Sequence, residues 1–349
     1  MNDMNDTIPL ISIIILNYNG GKFIEECIKS IMASNYSSYE IILVDNNSDD
    51  NSHKICKEKF PQIILIENKS NLGYCEGNNI GIKKAKGEYL VILNPDTLVE
   101  KEWLGHLLNA YKKNGRGLYQ PKLLAIDNRK RINTMGNMIN LFGFGYSSKK
   151  GSEDDNSKTD IQQIGYASGA CLFILKKDLY EIGFFDSFLF AYHDDLDLGW
   201  RAMQQNIKSF LVPKSIVYHA ESFIFKWSKM KFYLLERNRW YCLLTHYSKK
   251  TYYKILPSLI LIEFFMFFYY LSRGMIKEKI AGYNDLIKNR NIIHKKYLEL
   301  EERKIIPDIE IIKYFQDTIE TPIQVSGRSQ SAVFNSLLKT LAKLSRIIL

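Results

Sequence analysis

Cysteine is scarce and scattered in this chain of 349 residues. Cys27, Cys56, Cys75, Cys171 and Cys242 form no Cys-x-x-Cys pair. That spacing argues against a zinc site or a disulfide framework and suits a reducing compartment. The opening residues Met1 to Asp6 have no basic stretch and no apolar one, so no secretory signal is expected there. No internal repeat is found. An uninterrupted apolar run of about 20 residues, the length a membrane-spanning helix needs, is also missing. The nearest candidate, Ile255–Ser272, is broken by Glu263 and carries Pro257.

Hydrophobic residues make up 46% of the chain, enough for a sizeable core. The formal net charge of +9 is unevenly spread. Residues 1–220 hold 25 Lys+Arg against 26 Asp+Glu, and residues 221–349 hold 22 against 12. The second part therefore carries all the excess. Nucleic acid and an anionic membrane surface both attract such a segment. Its aromatic and aliphatic runs favour the membrane.

The first hundred residues alternate strand and helix. Leu10–Leu16 is a continuous apolar run, the pattern of a buried parallel strand. Gly20-Gly21 opens a helix with Phe23, Ile24, Cys27, Ile28 and Ile31 at helical spacing. Strands are predicted at Glu40–Val44, Ile63–Ile66 and Glu88–Leu93, with a helix from Asn71-Leu-Gly73 to about Lys86. This is half of a doubly wound nucleotide-binding sheet. A helix over Glu100–Asn114 and a strand over Gly117–Leu124 follow. Residues 126–164 lack periodicity and read as a long surface excursion with a mobile tip at Gly151–Asp160. Gly165–Leu175, the helices Lys176–Ile182 and Asp194–Asn206, and Phe210–Tyr218 complete an α/β unit over residues 8–222. Beyond it, helices are predicted at Lys226–Tyr247 and Lys277–Arg303. They form a region 223–303 that includes the apolar segment 255–272. A tail over 304–349 ends in an amphipathic helix, Ser331–Leu349.

The carboxylates at strand ends carry the chemistry. Ligands of open α/β sheets bind beyond the carboxyl ends of the strands. Asn94-Pro95-Asp96 stands there, and Asp96 can tether Mg²⁺ or Mn²⁺ against a diphosphate; an Asx turn is the plain reading. Asp45 and Asn47 end the second strand and can meet a pyrimidine base or simply form a turn. Asn17, Tyr18 and Asn19 end the first, with the same two readings. Gly73 and Asn79 lie where a helix start offers free N–H groups to anions. Asp194, Asp195 and Asp197 open a helix that also carries Trp200. Asp194, Asp197 and Arg201 share one face and Asp195 another, so Asp195 is the candidate general base. His219 can complete a metal shell or be structural. Arg237 can fork onto phosphate or lie on a solvated basic surface.

In this order the pieces resemble the family 2 glycosyltransferases, which have the GT-A fold. The likeness runs from about Ile11 to His219, on Ser12–Gly20, Val44–Ser48, Asn71–Gly73, Leu93–Asp96, Gly169-Ala170, Gly183–Asp186 and Asp194–Arg201. It is greatest to bacterial and archaeal rhamnosyltransferases, where Asn-Pro-Asp often replaces Asp-x-Asp. The resemblance implies a mostly parallel GT-A sheet with helices on both faces and a C-terminal helical, membrane-associating region. It implies that Asp45 contacts the base, that Asn94 lies near the nucleotide, that Asp96 and His219 bind the metal, and that Asp195 is the base. Asp194 stands where the family has Glu, and Asp194, Asp197 and Trp200 are expected on the acceptor side. The implied reaction is inverting transfer of a sugar, such as L-rhamnose, from a dTDP- or UDP-linked donor. The acceptor would be a polyprenyl-linked or oligosaccharide hydroxyl.

A cytoplasmic protein attached peripherally to the inner face of the cell membrane is expected. The last helix would bind the interface or pack on another subunit of a homo-oligomer. A nucleotidyltransferase is a second reading, but Asn17-Tyr-Asn-Gly-Gly-Lys22 fits its Gly-rich signature poorly. A silent sugar-nucleotide-binding scaffold is a third. A nucleic-acid binder would explain the charge and leave the strand-end acids unexplained.

Overall fold

A computed structural model describes residues 8–157, 159–220, 228–320 and 328–349. The polar start Met1–Asp6, the boundary at 222–223 and the expected helix start at Lys226 lie outside the described residues.

Ten strands form one sheet among the described residues. Its parallel half is β3 (Ile64–Glu67), β2 (Tyr39–Asp45), β1 (Ile11–Asn17) and β4 (Tyr89–Leu93), in that spatial order. The other half is mixed. β11 (Cys171–Leu175) runs antiparallel to β4 and to β6 (Gly117–Ala125), and β12 (Lys208–His219) is parallel to β6. β5 (Thr97–Val99) and β10 (Gln162–Ile164) pair with β12, and β7 (Ile132–Thr134) with β6. β8 (Asn137–Ile139) and β9 (Gly145–Ser147) make a separate hairpin.

The isoleucine run of β1 suits a strand covered on both faces. Because side chains alternate, Ile11, Ile13 and Ile15 join one core and Ile14 the other. The first core holds α1 (Gly21–Met32) and α4 (Trp103–Asn114) against the sheet. α2 (Ser52–Lys59) adds Cys56 there. The second holds α3 (Gly73–Lys84), α5 (Lys176–Ile182) and α6 (Asp194–Gln204). The C-terminal helices share that second core. They are α7 (Lys229–His246), α8 (Lys249–Ser272), α9 (Ile276–Lys288), α10 (Arg290–Arg303), α11 (Asp308–Ile312) and α12 (Arg328–Ile348).

Several expectations need correction. α2 was not anticipated, because its polar sequence shows little periodicity. The stretch 126–164 is not a surface excursion: it holds four short strands, and Ile139, Leu141 and Phe142 are buried. Even its polar tip is pinned by an ion pair between Lys122 and Asp154, both buried, at 2.5 Å. The charged helix expected over 277–303 is two helices meeting at Asn289, whose side-chain amide donates to the Asp285 backbone carbonyl. Within the tail, α11 is an additional helix. Ile311, Ile312 and Phe315 carry that segment into the core. Part of the apolar face of α12 packs inward, while Leu344 stays 55% exposed. Leu338, Leu341 and Ala342 are buried in the same core, and the Ser345 hydroxyl lies 2.9 Å from that of Ser258 on α8.

Trp200 of α6 ties the sheet to these additions. Fully buried, it stacks edge-on against Tyr247 and Phe315 at 4.9 Å and lies 4.7 Å from the His246 ring. It is a core residue, in place of the expected acceptor contact. Trp200→Ala should lower stability by about 3–5 kcal/mol in urea denaturation. A loss under about 1 kcal/mol would contradict this packing role.

Candidate active site

Strand register builds the site. After β4 the turn Asn94-Pro95-Asp96 leads into β5, and β5 pairs with β12 so that Thr97 faces His219. The Ala220 N–H donates to the Asp96 carbonyl at 2.9 Å. This places Asp96 Oδ1 3.3 Å from His219 Nε2, with Asn94 Nδ2 3.4 Å from the same nitrogen. On its other side, β4 pairs with β11, Leu93 facing Cys171. The Asn94 N–H donates to the Ala170 carbonyl at 3.0 Å, and the Gly169 N–H donates to Asp195 Oδ2 at 3.1 Å. One short path of hydrogen bonds thus joins Asp96 to Asp195. Both line a single cleft of about 440 Å³, a size usual for small-molecule sites.

The loop before α6 is strained. Phe190, Tyr192 and His193 all have φ between 60° and 65°, the left-handed region that non-glycine residues avoid. Asn238 on α7 holds it: its amide donates to the carbonyls of Leu189, Ala191 and Tyr192 at 2.7–2.9 Å. Arg237 donates to the carbonyls of Phe188 and Leu189 and pairs with Asp285 at 3.2 Å. Arg237 is therefore buried and engaged with the backbone, away from the cleft, which corrects its reading as a phosphate fork. From α3, the N–H groups of Tyr74 and Cys75 donate to the Phe190 carbonyl. Gly73, with φ +77°, lies so close that a Cβ there would meet Phe190 at 2.5 Å.

Among the nucleotide-side candidates, Tyr18, Asn19, Gly73 and Asn94 line the cleft, joined by Asn46 and Asn71. The structure does not bring Asn17, Asp45, Asn47 or Asn79 to its wall. Asn17 and Asp45 are buried beneath it: the Asn17 amide donates to Asp45 Oδ1 at 2.8 Å, and Ser48 donates to both Asp45 oxygens. Asn47 is an exposed turn residue with φ 63°. The Asn79 amide exchanges hydrogen bonds with the backbone of Phe185. Asp194 lines the cleft. Asp197 is completely buried, accepts two hydrogen bonds from Arg201 and lies 3.2 Å from His246 Nε2. Asp197 is thus an internal counter-charge and does not reach an acceptor.

Burial raises the Asp195 carboxyl to about 6; its hydrogen bonds from backbone N–H groups work the other way. Burial and the adjacent Asp195 charge together hold the Asp194 carboxyl well above its ordinary value. For Asp197 burial is outweighed by Arg201 and His246, and it stays ionised. Two neighbouring carboxyls of one helix turn are therefore driven upward while a third is driven down.

The donor set at Asp96 fits a divalent cation. The remaining ring nitrogen of His219 lies 3.3 Å from Asn133 Oδ1; a proton on Nδ1 donated to that oxygen turns the Nε2 lone pair toward the Asp96 carboxylate. In that tautomer Nε2 can accept from the Asn94 amide or ligate a cation shared with Asp96. Asp197, Cys242 and His246 also come within 4.8 Å of one another. That buried cluster already contains the Arg201 charge and presents no opening to the cleft.

Sequence reasoning did not single out Tyr74, Tyr166, Tyr192 or Lys231, which also line the cleft. Gly169 stood in a quoted motif without a role. None of these sits in a spacing pattern; only the strand register and the loop fold bring them in.

Residues 12–183 match the model of the family described as Glycosyl transferase family 2. Glycosyltransferase GlyG of Streptococcus pneumoniae serotype 4 is 38% identical over 100 residues, 27% of this chain and 33% of that protein. The low-salt glycan biosynthesis hexosyltransferase Agl10 of Haloferax volcanii is 27% identical over 207 residues, 56% of this chain and 62% of that one. The chain thus spans less than two thirds of the length of these relatives. A crystal structure of GalNAc-T7 with UDP, GalNAc and Mn²⁺ superposes with a TM-score of 0.60 at 18% identity, over 73% of this chain and 51% of that one. That likeness establishes a shared fold.

Asn238→Ala should remove this donor from the Ala191 and Tyr192 carbonyls, Leu189 keeping Arg237, and cost at least ~2 kcal/mol in urea denaturation. A change under about 0.5 kcal/mol would mean that Asn238 does not hold the loop.

Proposed function

We propose that this chain, which through residues 12–183 belongs to glycosyl transferase family 2, moves a sugar from a nucleoside diphosphate to a hydroxyl of a glycan acceptor, inverting the anomeric centre. The observation that carries the reading is the convergence of Asp96 with His219, and of Asp195, on one cleft. One group suits a cation on the departing diphosphate, the other a proton from the attacking hydroxyl.

In this reading Asp195 takes the acceptor proton. A base raised toward 6 is ionised at neutral pH yet still basic enough to work. The Gly169 N–H fixes its orientation. The acceptor oxygen attacks the anomeric carbon opposite the diphosphate, the new C–O bond forming as the sugar–phosphate bond breaks. A single displacement needs no nucleophilic side chain. The cysteines suit that: all five are buried, and burial raises the Cys27 thiol to about 12. Asp96 and His219 would hold the cation, oriented by Asn133 and Asn94. When bound, Mg²⁺ or Mn²⁺ would neutralise charge on the leaving diphosphate, and the imidazole in the donor set favours Mn²⁺. Lys231 adds a cationic side chain to the cleft wall. Tyr18, Asn19 and Asn46 form the wall read as nucleotide-binding.

The similarity to Agl10, a hexosyltransferase of low-salt glycan biosynthesis, and to GalNAc-T7 with UDP, GalNAc and Mn²⁺ supports a hexose donor, a glycan acceptor and Mn²⁺. dTDP-L-rhamnose heads the donors to be assayed, because Asn94-Pro95-Asp96 replaces Asp-x-Asp. A donor panel scored by nucleoside diphosphate release is the primary test. Nucleotide binding without release from any donor would favour the silent-scaffold reading.

Four outcomes follow, two at Asp195 and two at the cation site. Turnover should rise with pH through about 6, since only the ionised base accepts a proton, and Asp195→Asn should lose at least ~10²-fold while still binding nucleotide. A flat pH profile, or unchanged turnover in that variant, would remove Asp195 from its role. Chelation should abolish activity and Mn²⁺ restore it; Asn133→Leu should weaken apparent metal affinity ~10–100-fold. Activity indifferent to chelator would contradict the Asp96–His219 site.

A further inference from the structure

α8 has two unlike sides. Toward the protein, Ile255, Leu259 and Ile262 are fully buried. Glu263, the one acid of this helix, points into a buried ion cluster. It pairs with Arg239 of α7 and accepts from Lys279 of α9 at 2.6 Å and from the Tyr283 hydroxyl. On the opposite side Ile260, Leu261, Phe264, Phe265, Phe267 and Phe268 are 42–60% exposed. Single exposed apolar residues are ordinary; a contiguous aromatic stripe marks an interaction surface. Basic residues bracket the stripe: Lys249 and Lys250 before it, Arg273 and Lys277 after it, all exposed.

The charge pattern selects the occupant. A second copy laid along the stripe, parallel or antiparallel, would set basic end against basic end, and no outward-facing acid of α8 would offset them. An anionic surface with an apolar interior satisfies both features. The packing also selects the geometry. At 24 residues the helix is long enough to cross a bilayer. Its inner side, however, is fastened at mid-length to Arg239, Glu236 and Lys279, and standing it upright would drag that cluster into hydrocarbon.

We propose that α8 is an in-plane membrane anchor: its Phe264–Phe268 stripe enters an anionic lipid leaflet while Glu263 stays bound to the protein. The proposal is independent of sugar transfer and needs no substrate to test.

Flotation of the full chain with phosphatidylcholine vesicles, with and without phosphatidylglycerol, tests it. The protein should float with the anionic vesicles and far less with the neutral ones, each basic residue near the surface being worth about fivefold in partition. Phe264→Ser with Phe268→Ser should cut partition at least ~tenfold with an unchanged unfolding midpoint. Lys249→Gln with Lys250→Gln should remove most of the preference for anionic lipid and keep the unfolding midpoint. Equal flotation of the Phe variant overturns the proposal, as does failure of the parent to float. So does a concentration-dependent dimer that the Phe substitutions dissolve, which would make the stripe a self-interface.

Discussion

The antiparallel pairing of β11 against β4 is the constraint on which the site depends. Leu93 opposite Cys171 fixes where Gly169 and Ala170 fall relative to Asn94. From that register the Ala170 carbonyl meets the Asn94 N–H, and the Gly169 N–H meets Asp195. A slip of one residue would turn every side chain of β11 to the opposite face and break both bonds. Burial of Leu172 in one core and Phe173 in the other makes such a slip costly. The distance between the Asp96 and Asp195 carboxylates is thus set by core packing, not by the polar residues themselves.

That arrangement is held against unfavourable local terms. Three left-handed non-glycine residues in one loop, and two neighbouring carboxyls raised by burial, each oppose folding. The opposing forces are concrete: carbonyls gripped by Arg237 and Asn238, and a helix whose third acid, Asp197, is matched by Arg201 and His246. The division of labour within Asp194-Asp195-Leu196-Asp197 follows from the neighbours of each carboxyl, since all three are desolvated. Asp197 has cations beside it and stays charged. Asp195 reaches the cleft and has only N–H groups, so its charge is only partly stabilised and the proton can come and go.

The βαβ half of the fold was legible because it is local: apolar runs of strand length, helical spacing, and turn residues between them. Asp96, His219 and Asp195 were legible because strand ends and helix starts of an open sheet converge. Legibility failed where tertiary contact overrides pattern. Residues 126–164 hold strands of three residues each, too short for an alternating pattern to show. Arg237 looked like a phosphate ligand because charge in a sequence carries no sign of burial. Trp200 and Asp197 share a helix with Asp195, yet they sit on its inward face, where His246 and Phe315, far along the chain, meet them.

The same reasoning explains why the membrane question could not be settled by hydropathy. Glu263 reads as a flaw in an apolar run, and on insertion scales such a charge argues only against spanning. In the folded chain it is a fastening. Burial opposes the Glu263 charge, Arg239 and Lys279 overcome it, and its carboxyl lies well below the usual range. The fastening also reaches the site. Arg239 follows directly on Asn238, which holds the loop before Asp194. One turn of α7 therefore grips the loop before α6 with one side chain and the exposed helix with the next. Arg239 and Asn238 thus link α8 directly to the loop that precedes Asp194.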